Sequence, residues 1–315
     1  MNGAMFSPQL TAFAERYRCI TWDQRGHGQS PASGPFTLWD SARDALALLD
    51  RLEIDRAIFV GTSQGGFVSL RAALLAPDRV SGLAVMGTSA ATEDPAQKAA
   101  YEQLHAAFFG SPDGPPEPVL DWMVQAFFGR RFDPGPWREH LRCLPKDQAN
   151  YSFPPLVDRD EVVTSLERIT APTLVLHGSA DPCYAPSHGE EIANGVADCR
   201  GFVLVEGGAH FLSLTDPEPV NTALAGQHCL TGVVRDTGLT EFSFGSRAIL
   251  GSGDIRLGNP LPALRNRKNV ARTVCSTGRT PLGLYELILF DGRWTRRQNP
   301  SHGPSQATDL PQLRG

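Results

Sequence analysis

The stretch FVGTSQGGFV, residues 59–68, places a single serine among small residues where one sequence pattern gives way to another. Residues 57–60 form a continuous apolar run, which is typical of a strand that is buried on both faces. Residues 66–76 have the spacing of a helix, and Pro77 ends it. The sequence therefore predicts a strand, a sharp turn and a helix, with Ser63 at the turn.

The residues around Ser63 match the pattern Gly-x-Ser-x-Gly, with glycine at positions 61 and 65. In such a turn the serine adopts strained backbone angles, and the residues two before and two after it must be small to avoid a collision. The Ser63 hydroxyl would then lie at the amino end of the helix, where the backbone N–H of Gln64 can stabilise an oxyanion. The pattern is common by chance, and a glycine-rich turn without a catalytic function is the alternative.

Strand and helix patterns alternate along much of the chain. Residues 38–52 have a mostly helical spacing, and the β-prone or apolar runs are residues 19–22, 57–60, 82–86, 173–176 and 202–205. Strands that alternate with helices imply a mainly parallel sheet with helices on both faces, which is an α/β fold.

Residues 91–168 interrupt this alternation, because helical and aromatic segments replace the strand patterns. We expect them to form a helical cap inserted into an α/β core of residues 1–226. The aromatic residues of this segment would mostly pack within the cap, and a few would line an apolar pocket: Phe108, Phe109, Trp122, Phe127, Phe128 and Trp137. A packing extension that contacts no ligand is the alternative.

Residues 227–315 differ in composition from the rest of the chain. They contain 12 Lys and Arg against 6 Asp and Glu, although the net charge of the whole chain is −5. Short apolar islands, such as residues 284–290, stand among glycine, arginine, serine, threonine and proline. The arginines lack the interleaved aromatic residues of a nucleic-acid surface. We therefore expect a disordered or non-native extension and no nucleic-acid partner.

The overall composition excludes several classes of protein. With 315 residues, 41% hydrophobic and 20% charged, the chain resembles an ordinary globular protein. No run approaches the roughly 18 apolar residues of a membrane helix, and the start lacks the features of a signal peptide, so we expect a cytoplasmic protein without a membrane partner. The six cysteines are scattered and form no CxxC pair, so we expect neither a metal site nor a disulfide framework. The oligomeric state stays open.

A serine hydroxyl becomes an effective nucleophile only beside a base, which a third group orients. His210 follows the strand at residues 202–205, and the glycines before it let the imidazole approach the edge of the sheet. Asp181 follows the strand at residues 173–176 and is the candidate acid, although Asp-Pro is also a common turn former. The other histidines that we weighed as bases fit less well: His27, His177 and His188.

These segments resemble the alpha/beta hydrolase superfamily over about residues 5–226. DQRGHGQS, residues 23–30, is similar to its D-x-R-G-x-G-x-S turn, and TSQGG and PTLVLHGSAD are similar to two further signatures. The order Ser63, Asp181, His210 is the nucleophile, acid and base order of that superfamily. A serine at the turn argues against haloalkane dehalogenases and epoxide hydrolases, which have an aspartate there.

Within the superfamily, the chain resembles the branch of 3-oxoadipate enol-lactonases and related esterases. The resemblance implies a cofactor-free hydrolase that acts on a small carboxylic ester or lactone through Ser63, His210 and Asp181, with the N–H of Gln64 in the oxyanion hole. Perhydrolase or carbon–carbon hydrolase chemistry on the same scaffold stays open. An incomplete or inactive relative, which would act as a binding module, is the other alternative.

The chain departs from the family pattern near both ends. Only 22 residues precede Asp23, whereas the family has further strands there. One of these strands normally lies between the strand that ends at Asp23 and the strand that leads to Ser63, and its loop supplies a second oxyanion N–H. We therefore expect a gap in the middle of the sheet. We also expect the native protein to begin upstream and its family-like end to be interrupted near residue 227.

Overall fold

The computed structural model describes residues 3–111, 114–226 and 286–291, and its centre is a six-stranded sheet. Along the sheet the strands follow the order β1-β6-β2-β3-β4-β5. Strands β2 to β5 pair in parallel, as the alternating pattern predicts. The strands are β1 (Tyr17–Thr21), β2 (Ala57–Thr62), β3 (Val80–Met86), β4 (Thr173–Gly178), β5 (Cys199–Val205) and β6 (Glu286–Asp291).

Every residue of β2 and of β4 is buried, which explains why both strands read as continuous apolar runs. Because successive side chains point to opposite faces of a sheet, Phe59 packs into one apolar cluster, whereas Ile58 and Val60 pack into another. The two clusters lie on the two faces of the sheet and form the core.

Helices cover both faces of the sheet. The α2 helix begins with a capping box, in which Thr37 Oγ1 accepts a hydrogen bond from the Asp40 N–H (3.2 Å) and the Asp40 carboxylate accepts one from the Thr37 N–H (2.9 Å). The α-helices are α1 (Ser7–Phe13), α2 (Leu38–Arg51), α3 (Gln64–Leu75), α4 (Pro95–Phe109), α5 (Glu117–Phe128), α6 (Gly135–Arg142), α7 (Lys146–Val157), α8 (Pro186–Gly195), α9 (Leu212–Thr215) and α10 (Pro217–Ala225).

The four helices α4 to α7 lie in the chain between β3 and β4, within the segment where the sequence predicts a helical insertion. We call these four helices the cap. A 3-10 helix at Val163–Arg168 follows them and leads to β4. The division of the chain into a core of residues 1–226 with an inserted domain stays a prediction.

The middle of the sheet differs from the sequence prediction of a gap. β6 lies between β1 and β2 and runs antiparallel to both, with Thr21 opposite Leu287 and Gly61 opposite Glu286. The physical reason is that a gap would leave the facing backbone N–H and C=O groups of β1 and β2 unpaired, and a β-prone apolar run can pair with them. Thus part of the predicted disordered extension is a strand, and the rest of it, residues 227–285 and 292–315, lies outside the described residues.

None of the helices in the described ranges combines the length and the apolar character that crossing a membrane requires.

Candidate active site

Ser63 lies in a strained turn between β2 and α3. Its backbone angles are φ 53° and ψ −117°, and a positive φ in a residue other than glycine costs about 1–3 kcal/mol. Two hydrogen bonds hold the turn: the Ser63 N–H donates to the Met86 carbonyl (2.8 Å), and Thr88 Oγ1 donates to the Ser63 carbonyl (2.8 Å). The neighbouring strand β3 and the residues after it therefore fix the backbone of the predicted nucleophile.

Glycine at position 61 is required by a close approach of two backbone segments. A Cβ atom at Gly61 would lie 2.4 Å from the carbonyl carbon and oxygen of Gly65, which is far inside van der Waals contact. The end of β2 and the first turn of α3 can pack this closely only because residue 61 has no side chain. The first glycine of the Gly-x-Ser-x-Gly pattern thus has a steric function in this fold.

Gln64 begins α3, so its backbone N–H belongs to the first helical turn, where N–H groups have no intrahelical partner. Its side chain points to another buried amide, because Gln64 Nε2 donates to Gln24 Oε1 (3.3 Å). Gln24 is fully buried and belongs to the DQRGHGQS turn. The turn that carries the family resemblance therefore contacts the residue next to Ser63.

Asp181 and His210 form a buried pair. The Nδ1 atom of His210 lies 2.8 Å from Oδ2 of Asp181. Both residues are buried, with His210 3% exposed and Asp181 8% exposed. The other carboxylate oxygen, Oδ1, accepts hydrogen bonds from the N–H groups of Cys183 (2.8 Å) and Tyr184 (3.3 Å). The acid is therefore held by its own loop and has one oxygen left for the histidine.

Burial alone would raise the pKa of the Asp181 carboxyl, but the charge and hydrogen bond of His210 and the Cys183 N–H outweigh it and hold that pKa below its usual value. Asp181 is thus a carboxylate that accepts a hydrogen bond from Nδ1–H of His210. In that tautomer the lone pair of the imidazole is on Nε2, which is the atom that a general base needs.

The loops after β2, β4 and β5 bring the three predicted residues to one edge of the sheet, because parallel strands end at the same edge. Ser63 and His210 line the same pocket. Gly87, which follows β3, has φ +50°, and a Cβ atom there would lie 3.1 Å from Asp181 Oδ2. The loop after β3 thus leaves space for the carboxylate of Asp181, and Gly87 itself has no side chain that could take this place.

The other three histidines that we weighed as bases have other nearest partners. His177 Nε2 donates to the Tyr184 carbonyl (2.9 Å) and lies farther from Asp181 Oδ2 (3.6 Å) than His210 does. Burial lowers the pKa of His177, so this ring shapes the turn after β4. His188 Nδ1 lies 3.0 Å from Ser89 Oγ. His27 lines the pocket, but its Nδ1 is 3.0 Å from the Arg25 carbonyl, and burial lowers the pKa of His27 to about 4.

The pocket has a volume of about 200 Å³ and lies between the edge of the sheet and the cap. Four of the six predicted aromatic residues line it: Phe108, Phe109, Trp122 and Phe127. Phe128 and Trp137 instead pack against each other, with ring centroids 6.2 Å apart. The sequence prediction that some aromatic residues of the inserted segment line an apolar pocket therefore agrees with the observed lining.

Asp181, Cys183 and His210 have potential metal-ligating atoms within 4.8 Å of one another. The hydrogen bonds to both oxygens of Asp181 already account for its position, and burial raises the pKa of the Cys183 thiol well above its usual value. The hydrogen bond between His210 and Asp181 accounts for two of the three groups of this cluster.

Sequence reasoning missed several residues of the site. Thr88, Gly87 and Gln24 hold or adjoin the predicted residues, and His105 lines the pocket from the cap. Polar residues directly after the carboxyl end of a strand are a general signal that would have indicated Thr88. No comparable local signal marks His105, since its position depends on how the cap packs.

Known proteins resemble this chain in sequence and in structure. The family model described as alpha/beta hydrolase fold matches residues 1–130. The chain is 28% identical over 216 residues to 3-oxoadipate enol-lactonase 1 of Acinetobacter baylyi, which corresponds to 68% of this chain and 79% of that protein. It is 29% identical over 235 residues to RutD of Stutzerimonas stutzeri, assigned as a carbamate hydrolase, over 70% of this chain and 85% of that protein.

The fold is also similar to that of a hydrolase from Pseudomonas aeruginosa PA01. The TM-score is 0.61 and the sequence identity 32%, over 71% of this chain and 84% of that chain.

Proposed function

The chain belongs to the alpha/beta hydrolase family and is a hydrolase, and we propose that it cleaves carboxylic esters or lactones through an acyl-enzyme on Ser63. The observation that carries the proposal is the buried contact of 2.8 Å between His210 Nδ1 and Asp181 Oδ2, beside the pocket that Ser63 lines. A base that is oriented in this way, near a serine in a strained turn, is the arrangement that activates a hydroxyl.

In the first half of the reaction, Ser63 Oγ attacks the carbonyl carbon of the substrate, and its proton moves to Nε2 of His210. The carbonyl oxygen becomes an oxyanion, which the backbone N–H of Gln64 stabilises. The tetrahedral intermediate then expels the alcohol, which takes the proton from His210 Nε2, and an acyl-Ser63 ester remains. For a lactone, the alcohol stays attached to the acyl group.

In the second half, His210 accepts a proton from water, and the resulting hydroxide attacks the acyl carbon. The acid is released, and the proton returns to Ser63 Oγ. Asp181 stays ionised throughout and stabilises the imidazolium form of His210 in both halves. Every step uses groups of the chain and one water molecule.

Two relatives have names that indicate possible reactions: enol-lactone hydrolysis and carbamate hydrolysis. Both reactions begin with attack on a carbonyl carbon, so the same residues can perform either. We favour esters and lactones because the pocket next to Ser63 is lined mainly by apolar side chains, which suit an acyl group.

Labelling with a fluorophosphonate probe tests the proposal, with the modified residue identified by peptide mass spectrometry. The variants are Ser63→Ala, His210→Ala and Ser152→Ala. Ser152 is the matched control because it is a serine of the same pocket whose hydroxyl contacts the Ala149 carbonyl. We expect label on Ser63 in the wild type and in Ser152→Ala, none in Ser63→Ala, and at least 100-fold slower labelling in His210→Ala. A folded wild-type chain without label on Ser63 would overturn the proposal.

A further inference from the structure

The residues that line the pocket carry few charges. Among the described residues that line it there is no aspartate, glutamate, lysine or arginine. The cap contributes mostly aromatic and aliphatic side chains, including Phe153 and Leu156 on α7. The two adjacent arginines between α5 and α6, Arg130 and Arg131, line another depression, and Arg131 is 3.2 Å from Asp216.

Most polar side chains of the pocket already have a protein partner. Tyr101 Oη donates to the Cys183 carbonyl (3.1 Å), and Gln148 Oε1 accepts from the Ala32 N–H (2.9 Å). Tyr184 Oη lies 3.1 Å from a carboxylate oxygen of Glu93, and this oxygen also contacts Arg159. These groups are therefore poorly placed to bind a substrate, because binding would break an existing hydrogen bond.

His105 is different. Its ring stacks on Phe153, with centroids 4.3 Å apart and an interplanar angle of 26°, and it lies 4.9 Å from the ring of Phe109. Its Nε2 atom is buried and has no hydrogen-bond partner in the part of the chain that the structure describes. Burial and, to a smaller extent, the charge of Lys146 lower its pKa, so the imidazole is neutral near pH 7.

We propose that the substrate is an uncharged, mostly apolar ester or lactone with one neutral hydrogen-bonding group away from the reacting carbonyl, and that His105 Nε2 binds this group. The inference rests on the proposed function and adds the class of substrate. A neutral imidazole nitrogen can donate to a ketone or amide oxygen without a charge on either partner. The stacked phenylalanine rings hold the imidazole in place, which lowers the entropy that binding would cost.

The same lining discriminates against anionic substrates. A carboxylate that enters an apolar pocket without a cation loses its hydration and gains no ion pair. The name 3-oxoadipate enol-lactonase implies such a substrate for that relative, because a lactone of a dicarboxylic acid keeps one free carboxyl group. We therefore infer that this chain acts on a different class of substrate from that relative.

A pair of fluorogenic esters of similar length tests the charge preference: umbelliferyl heptanoate and the umbelliferyl monoester of adipic acid. The pocket volume of about 200 Å³ is suited to acyl groups of roughly this size, since a cavity of about 150 Å³ holds benzene. We expect kcat/KM to be at least 100-fold higher for the neutral ester. Equal rates, or a preference for the anionic ester, would overturn the inference. If neither ester is cleaved and Ser63 is not labelled, the result contradicts the proposed function itself and not only the charge preference.

The role of His105 is tested with umbelliferyl heptanoates that carry a ketone at successive positions of the chain. We expect the wild type to prefer at least one of them over plain heptanoate by roughly 3- to 10-fold in kcat/KM, mainly through KM. His105→Phe should lose that preference, so that the ratio of kcat/KM between the ketone ester and plain heptanoate falls to about 1. His105→Gln, which restores a neutral donor, should recover part of the preference.

His140→Phe is the matched control. His140 is also on the cap, and its Nε2 atom is also buried without a hydrogen-bond partner among the described residues, but it does not line the pocket. This variant should keep the ketone preference. The assignment is overturned if the wild type prefers no ketone, if His105→Phe slows both types of ester equally, or if His140→Phe has the same effect.

Discussion

The two walls of the pocket are built by different principles. On the side of the sheet, Ser63, Asp181 and His210 are held by short hydrogen bonds and by backbone segments that approach within van der Waals contact. On the side of the cap, Phe109 and Phe153 each contact the ring of His105 through their own rings, with few directional constraints. Small changes should therefore be severe on the sheet wall and mild on the cap wall, to which our proposal assigns substrate binding and no chemical step.

The largest effect that tests this contrast is expected from Asp181→Asn. The amide keeps the shape of the side chain, but it no longer supplies the negative charge that orients and stabilises His210. We expect kcat on a neutral ester to fall by roughly 10³- to 10⁴-fold. The partly exposed Asp198, which precedes β5, is the control, and Asp198→Asn should retain activity within about 2-fold. An Asp181→Asn enzyme with more than a tenth of wild-type kcat would remove Asp181 from the mechanism.

A smaller but still severe effect is expected when one methyl group is added to the sheet wall. In Gly61→Ala the new Cβ would lie 2.4 Å from the Gly65 carbonyl, so the backbone around Ser63 must shift. We expect a loss of about 1–3 kcal/mol in the free energy of unfolding and a decrease of roughly 100-fold in kcat/KM.

The control for this change is Gly34→Ala, because a Cβ at Gly34 would meet nothing within 4 Å among the described residues, apart from Gly34 and its two chain neighbours. Chemical denaturation and ester hydrolysis would be measured on both variants. If Gly61→Ala is as stable and as active as Gly34→Ala, the close approach at the turn is not required, and the contrast between the two walls loses its main steric argument.

The smallest effect is expected from the loss of a whole ring on the cap wall. In Phe109→Ala the pocket widens, and an apolar acyl group loses contact area without any change near Ser63 or His210. We expect KM for umbelliferyl heptanoate to rise roughly 10-fold while kcat changes by less than about 3-fold. Steady-state kinetics separates the two constants, and a fall in kcat comparable to that of Gly61→Ala would show that the cap also positions the reacting groups.

Much of the sheet wall is predictable from local sequence. The apolar runs at β2 and β4 are long enough to identify buried strands, and the positions of Ser63, Asp181 and His210 follow from the loops after β2, β4 and β5. The cap is less predictable: the sequence indicates helices and aromatic residues, but not that Phe109 lines the pocket while Phe128 packs elsewhere. Aromatic side chains in helices have similar patterns whether they contact a ligand or one another.

The amino-acid sequence by itself determined the mainly parallel α/β architecture and the order along the chain of the proposed nucleophile, acid and base. These features depend on periodicity and on residues within a few positions of each strand end, which are local properties of the chain. Only the tertiary structure decided that β6 pairs between β1 and β2, that Gly87 leaves room for Asp181, and that His105 Nε2 has no hydrogen-bond partner in the described part of the chain. Each of these depends on contacts between residues far apart in sequence, and no local pattern specifies which distant backbone or side chain a group will meet.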